Sequence, residues 1–381
     1  MAKHPVDTED AYFNPGKGLT FNSKDGQFSL ATRLRAQNRF TIENESGSPA
    51  DLGLIIRRAR LQFLGHAFGE HNTFKAEIAL SPRDLRMTRL DSNTILRESP
   101  LLDWYMEFDY IRDLTLRVGQ YKLPFSRQRV ISSGNLQMVD RSIANAEFNL
   151  DRDVGLDIRS EDFLGFGHFR YYLGIFNGEG RSPFASGNSD LLYTARVEVL
   201  PLGMFKDYSE ADFERLSRPG ISLGLAYALA PDAGSVRLNQ GGAPDDAGTT
   251  DVQALTADVM FKYMGLSIFS EIFWREGDRN PGAAVDEFGV LVPVEEARDG
   301  IGWFAQAGYL LPRMPVEVAG RYGQIRADDE SSLSDSNEAG LAVSYYFAQH
   351  PFKLQADAFQ LWEDEFSDGT TVGRVQLQLA Y

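Results

Sequence analysis

Cysteine is absent from this 381-residue chain, which rules out disulfides, thiol catalysis and thiolate metal sites. Long hydrophobic runs are missing as well. No stretch of about 18 apolar residues occurs, so the chain has no transmembrane helix. Positive charge is in deficit: the net charge is −16, and nucleic acid is not expected as a partner. Histidine is scarce, and His4, His66, His71, His168 and His350 stand in no zinc-type spacing. No catalytic residue, cofactor or metal is expected, and the chain does not read as an enzyme. The first 25 residues lack the apolar core of an export signal, so an exported chain is expected to stand here in its mature form.

What is abundant points to sheet. There are 26 Phe, 15 Tyr and 35 Gly, which suit strands, aromatic girdles and tight turns. Apolar and polar residues alternate with period two over long stretches. Phe28, Leu30, Thr32, Leu34 and Ala36 face away from Ser29, Ala31, Arg33, Arg35 and Gln37. Leu102, Trp104, Met106, Phe108 and Tyr110 oppose Asp103, Tyr105, Glu107 and Asp109, and Val375, Leu377, Leu379 and Tyr381 oppose Arg374, Gln376 and Gln378. A membrane barrel needs apolar residues only at every second position, which is why the mean hydropathy looks soluble.

Strands are expected at 27–40, 54–67, 72–80, 101–110, 114–122, 152–160, 168–177, 191–200, 220–230, 252–263, 265–276, 300–311, 315–326, 338–348, 352–362 and 371–381. Connections after odd strands are long (41–53, 81–100, 123–151, 178–190, 231–251, 277–299, 327–337 and 363–370), and those after even strands are short. The exception is 201–219, where a helical stretch at 205–216 is the one competitor to strand. A soluble β-sandwich also alternates, but its loops need not alternate in length. The expected fold is therefore an all-β, 16-stranded antiparallel transmembrane β-barrel with short periplasmic turns and long extracellular loops. Residues 1–26 read as an N-terminal periplasmic segment and 27–381 as the barrel. Trp104, Tyr110, Trp274, Trp303, Tyr309 and Tyr345 read as interfacial girdle positions.

Several segments, in order, carry a resemblance. Ile56-Arg57-Arg58-Ala59-Arg60-Leu61 is followed by Phe74-Lys75-Ala76-Glu77, then Val118-Gly119-Gln120-Tyr121-Lys122-Leu123-Pro124-Phe125-Ser126. Val139-Asp140-Arg141-Ser142, Arg152-Asp153-Val154-Gly155 and Phe176-Asn177-Gly178-Glu179-Gly180 complete the set. Over about residues 17–180 the chain resembles the phosphate-selective porin O and P family. That resemblance implies a homotrimeric barrel in a Gram-negative outer membrane, bounded by lipid and lipopolysaccharide. It also implies passive passage of small anions, phosphate or polyphosphate among them. The third long loop, 123–151, is implied to fold into the lumen and constrict it.

Alternation points Arg33, Arg35 and Arg39 inward on the first strand and Arg58 and Arg60 on the second. Clustered guanidinium groups lower the energy of a permeating anion and repel cations, and their forked donors match phosphate or carboxylate oxygens. Lys122, Arg127 and Arg129 are expected to complete a selectivity filter from the third loop, where Arg141 is a further cation. Glu77, Asp103, Glu107 and Asp109 on the third and fourth strands form an opposing acidic wall, or else pair with the arginines and merely shape the lining. The outer acidic runs, Asp328–Glu330, Glu363–Glu365 and Glu295 with Glu296, read as solvated loop charge. The expected function is a diffusion porin for small hydrophilic solutes with anion preference. The alternative is a structural or surface-interaction barrel with a plugged or nonselective pore.

Overall fold

The computed structural model describes residues 8–14, 16–85, 88–89, 95–96, 99–181 and 191–381. Among them, eighteen strands join in one sheet. Sixteen of these close on themselves as an antiparallel barrel. In chain order the strands are β1 (Thr8–Asn14), β2 (Gly18–Ser23), β3 (Phe28–Glu45), β4 (Asp51–Ala67), β5 (Asn72–Ala79), β6 (Thr88–Arg89), β7 (Ile95–Leu96), β8 (Leu101–Phe108), β9 (Thr115–Lys122) and β10 (Arg152–Ser160). They continue as β11 (Phe169–Phe176), β12 (Leu192–Val199), β13 (Gly220–Ala233), β14 (Thr249–Tyr263), β15 (Leu266–Asn280), β16 (Gly300–Leu310), β17 (Val316–Ala327), β18 (Ser336–Ala348), β19 (Phe352–Trp362) and β20 (Thr370–Ala380).

Closure comes from β20 pairing with β3, from Thr370 opposite Glu45 down to Ala380 opposite Arg35. Leu34 and Tyr381 then exchange both backbone hydrogen bonds, at 2.8 and 3.0 Å. A closed sheet leaves no unpaired edge in lipid, and its alternation delivers one face to lipid and the other to the lumen. Leu223, Leu225, Ile268, Ile272, Val318, Val343 and Leu377 are exposed on the outer face. Two aromatic rims flank that band. Near the long-loop end Tyr322 lies between Trp303 and Trp362, with centroids 5.7 and 6.2 Å away. Near the short-turn end Phe347 stacks on Phe352 and meets Tyr345 edge to face.

Two sequence expectations need correction. The strands β3 and β4 run to Glu45 and from Asp51, so the first long loop shrinks to 46–50, because alternation at Phe40–Ile42 and Leu52–Ile56 carries the pair outward. Within the expected N-terminal segment, β1 and β2 pair as a hairpin, and β2 pairs with the lower part of β3, Leu19 opposite Thr32. No helix forms at 205–216: those residues are turns and irregular chain, held by Asp212, whose carboxylate accepts from the backbone N–H of Gly265 at 2.8 Å.

One irregularity matters for the lumen. Leu52, Leu54 and Ile56 share sequence parity with Arg58 and Arg60, yet the first three face lipid and the last two do not. A β-bulge reconciles them: Gln37 pairs with Arg58 and Asn38 with Ile56, leaving Arg57 as the extra residue. The bulge turns Arg57 as well as Arg58 inward, to Asp140.

Candidate functional site

The register stacks the basic face into a ladder. Arg58 lies beside Gln37, Arg60 beside Arg35, and Gln62 beside Arg33. Glu77 follows Gln62 in the next strand, and Asp103 follows Glu77. The acidic residues are thus neighbours of the arginines on one side of the barrel, not an opposing wall. Arg60 donates to Glu77 at 2.8 Å and grips both oxygens of Asp84 at 2.7 and 2.9 Å. Arg152 and Lys75 pair with Asp103, and Glu107 takes Arg117. Asp109 leaves the set altogether: it lies past the end of β8, exposed in the turn and 2.7 Å from His71.

Residues 123–151 lie inside the barrel, with Leu123, Phe125, Ile131, Leu136, Ala144, Phe148 and Leu150 all buried. Two short helices shape them: α1 (Arg127–Val130), N-capped by Ser126, and α2 (Ile143–Phe148), N-capped by Ser142. The loop docks on the far wall. Arg127, fully buried, reaches Asp207 at 2.7 Å, Ser222 at 2.9 Å and the carboxylate of Asp258. Glu271 accepts from Ser126 Oγ and the Arg127 backbone N–H, both at 3.0 Å. Gln137 donates to Glu317, Asp357 accepts from the Val139 backbone N–H, and Lys353 donates to the Leu136 carbonyl. Beneath these anchors Phe148 stacks on Phe273 at 6.1 Å. Arg127 is therefore an anchor and not a filter residue, because no part of it reaches the water path.

The 201–219 connection also turns inward and packs under the loop. Asp207 joins Arg127 to Arg170, and Glu210 accepts from the Gln137 backbone N–H at 2.7 Å. Ser222 sits in Gly220-Ile221-Ser222-Leu223-Gly224, which has the spacing of a nucleophile elbow. Here the motif is straight strand, and the hydroxyl accepts from Arg127.

With the far half filled, open space remains between the loop and the β3–β5 and β8–β10 wall. One chamber of ≈ 160 Å³ lies toward the long loops. A second, of ≈ 330 Å³, lies toward the short turns. Arg60, Lys122, Ser133 and Arg152 line both and so form the neck between them. Among the described residues, nine of the thirteen lining the first chamber are Arg or Lys, against the carboxylates Asp84 and Asp151. Seven of sixteen are cationic in the second, against Glu77 and Asp103.

The expected filter residues divide by partner. Arg39 pairs with Asp140 at 2.6 Å, Arg58 with the same carboxylate at 3.2 Å, and Arg129 with Asp151. Among the described residues, Arg35, Lys122 and Arg141 find only neutral acceptors: Ser132 Oγ at 2.7 Å, the Arg129 carbonyl at 2.8 Å, and the Gln128 and Ile131 carbonyls at 2.8 and 2.7 Å. Arg33 likewise donates to the Lys17 carbonyl. Sequence reasoning passed over Arg57, Arg117 and Arg152 as lining residues. The parity clash across Ile56–Arg58 and the alternation Thr115, Arg117, Gly119, Tyr121 were the available signals for the first two.

The loop's own carboxyls hold it in place. Burial pushes the Asp140 carboxyl up, but Arg57 and Arg58, with Arg374 and Arg39, outweigh it and hold it well below the usual carboxylate range. Burial likewise opposes Glu147, which Arg298 and Arg275 hold low. A carboxyl depressed in the folded state stabilises above its unfolded value, about pH 4, and that stabilisation is lost as pH falls through the depressed value. Acidification to pH 3 or below is thus expected to release the loop reversibly, seen as larger, noisier single-channel currents. Asp140→Asn is expected to show the same noise already at pH 7.

Comparison with known proteins agrees with this architecture. The family model for phosphate-selective porin O and P matches residues 30–381, nearly the whole chain. This chain belongs to that family. It is an outer-membrane diffusion porin, of a family whose members are channels rather than enzymes. A Gram-negative outer membrane is its location. An uncharacterized protein of Aquifex aeolicus (strain VF5) is 23% identical over 299 residues, covering 73% of this porin and 67% of the relative. The fold is shared with the anion-selective porin from Comamonas acidovorans, at TM-score 0.57, 12% identity, 93% of this porin and 100% of that chain. It is also shared with the trimer form of Vibrio cholerae OmpT, at TM-score 0.53, 10% identity, 92% of this porin and 99% of that chain.

Proposed function

We propose that this porin passes small anions through an off-centre channel, bounded by residues 123–151 on one side and β3–β5 with β8–β10 on the other. One observation carries this: Arg35, Lys122 and Arg141, at or beside the neck, have no carboxylate in salt-bridge range among the described residues. A fixed positive charge at about 4 Å from a permeating ion in a water-like medium favours an anion by about 1 kcal/mol and disfavours a cation equally. Arg58, Arg60, Arg39 and Arg129 add positive potential that their acids only partly cancel. Arg127 holds the constriction loop in place, and Glu77, Asp103 and Glu107 fix the ladder's geometry. Phosphate is one member of the solute class, since guanidinium forks fit its oxygens.

The chain assembles as a homotrimer in this reading, as the OmpT trimer form supports, with its apolar band against lipid and its outer rim against lipopolysaccharide. The β1–β2 hairpin lies on the periplasmic side in this reading, since β2 pairs with the short-turn end of β3. The test is the zero-current potential of the purified porin in a planar bilayer under a tenfold KCl gradient. A potential of the sign set by chloride is expected. A potassium-set sign would sink the anion reading, and absence of any conductance from a folded barrel would favour the plugged, structural alternative.

A further inference from the structure

The two chambers differ in more than size. The one toward the long loops has Leu102 as the single apolar side chain among its described lining residues. The one toward the short turns has Leu64, Tyr105, Tyr121 and Val130. Register explains the grouping. Leu64 pairs with Ala31 on one side and Lys75 on the other, and Lys75 pairs with Tyr105. The row then continues through Gly119 and Gly155, which carry no side chain into the lumen. The partly buried Tyr105 ring extends along that side, edge-on to Tyr121 at 5.6 Å, with the Arg117 guanidinium over its face, 4.4 Å from the centroid. Val130 comes from the loop that faces this wall.

Two rows further along, toward the neck, stand Arg35 and Arg60. Successive lumen-facing residues on a strand are about 7 Å apart. A basic neck therefore stands about 14 Å from an apolar, partly aromatic shelf, and long side chains close much of that gap. An apolar shelf in a wet anion path does nothing for a bare inorganic ion. It favours a solute that carries its charge at one end and a flat apolar body at the other, by burying that body against Leu64 and Tyr105. A chamber of ≈ 330 Å³ falls at the small end of the range usual for small-molecule pockets.

We propose that the short-turn chamber is a subsite for aryl carboxylates: the carboxylate lies toward Arg35 and Lys122, and the ring lies on Leu64, Tyr105 and Val130. This deepens the anion-channel reading and rests on it.

The test uses the whole porin in planar bilayers in KCl, with sodium benzoate or sodium acetate added to the short-turn side. Both probes are monovalent carboxylates, so their difference reports the ring. Benzoate is expected to halve the chloride current at about tenfold lower concentration than acetate, a ratio in the range that one aromatic contact plus apolar burial supplies. Tyr105→Ser and, separately, Leu64→Ser are expected to reduce that ratio to about twofold or less. Equal block by benzoate and acetate in the unaltered porin overturns the subsite, as does a ratio untouched by both substitutions. The zero-current potential in plain KCl is read first in each protein. A cation-set value there marks failure of the channel reading itself, separately from failure of the subsite.

Discussion

Arg127→Ala is expected to open the channel and weaken the barrel at once. The guanidinium is fully buried among Asp207, Asp258 and Glu198, and its removal leaves those carboxylates short of their counter-charge away from water. Breaking a buried charge network by deleting one partner costs about 3–5 kcal/mol. Arg196 still neutralises part of Asp258 and Glu198, which keeps the cost toward the lower end of that range. The same deletion unpins α1 from the far wall, where Ser126 and the backbone at 127–128 remain bound only through Glu271. Single-channel conductance is expected to rise and to flicker, and the heat-induced gel shift of the folded barrel is expected to occur at lower temperature. Arg127→Lys keeps the charge but not the fork, and should fall between the two. A variant with unchanged conductance and unchanged heat stability would mean that the loop is held by its apolar core alone.

Neutralising the neck should act on selectivity with little effect on stability. Arg35 and Lys122 donate to a hydroxyl and to carbonyls, so Arg35→Gln and Lys122→Gln leave no buried carboxylate behind. At about 1 kcal/mol on each ion, with opposite signs, one charge is worth about 2 kcal/mol in the chloride-to-potassium permeability ratio, so each substitution is expected to lower that ratio by about thirtyfold, and the pair by more. Arg39→Gln is the contrasting case. Its charge is already matched by Asp140, and its loss frees that carboxylate only partly, because Arg57 and Arg58 still hold it. A smaller change in permeability ratio is expected there. The zero-current potential reads all three.

The barrel was legible because lipid and lumen impose opposite demands on consecutive residues. Phe28 to Gln37 and Val375 to Tyr381 state the two faces outright, and each of the sixteen barrel strands falls within a few residues of its expected span. The inward aim of Arg35, Arg58 and Arg60 followed from the same parity. Partnership did not follow, because it depends on residues far away in sequence. Arg127 looks like any loop cation until β12 and β14 bring Glu198 and Asp258 to it. Asp109 has the right parity but stands one residue beyond the last pair of β8, so parity had nothing left to act on.

One signal was present and unread. On β13 the lumen-facing positions are Gly220, Ser222, Gly224, Ala226, Ala228 and Ala230, and on β15 they include Phe269 and Phe273. A wetted wall has no use for such a face. Small and apolar residues pointing inward mark where an inserted segment packs, and the arginine-rich strands β3, β4 and β10 mark where water is left. The inward turn of 201–219 belongs to the same logic, since Ala211 and Phe205 pack there instead of in a periplasmic turn.

The division of the lumen can be tested directly, because the chain has no cysteine to interfere. Ser132, half-buried, lines the short-turn chamber beside the neck, and Ala228 lies beneath the docked loop on the far wall. Single Ser132→Cys and Ala228→Cys porins, open in a bilayer, would be treated with a negatively charged methanethiosulfonate. Rapid loss of current with Ser132→Cys, and neither labelling nor current change with Ala228→Cys, is the expected pair of results. Block through Ala228→Cys, or full current through a Ser132→Cys porin shown by mass to be labelled, would put the ion path on the other side of the loop and contradict the account.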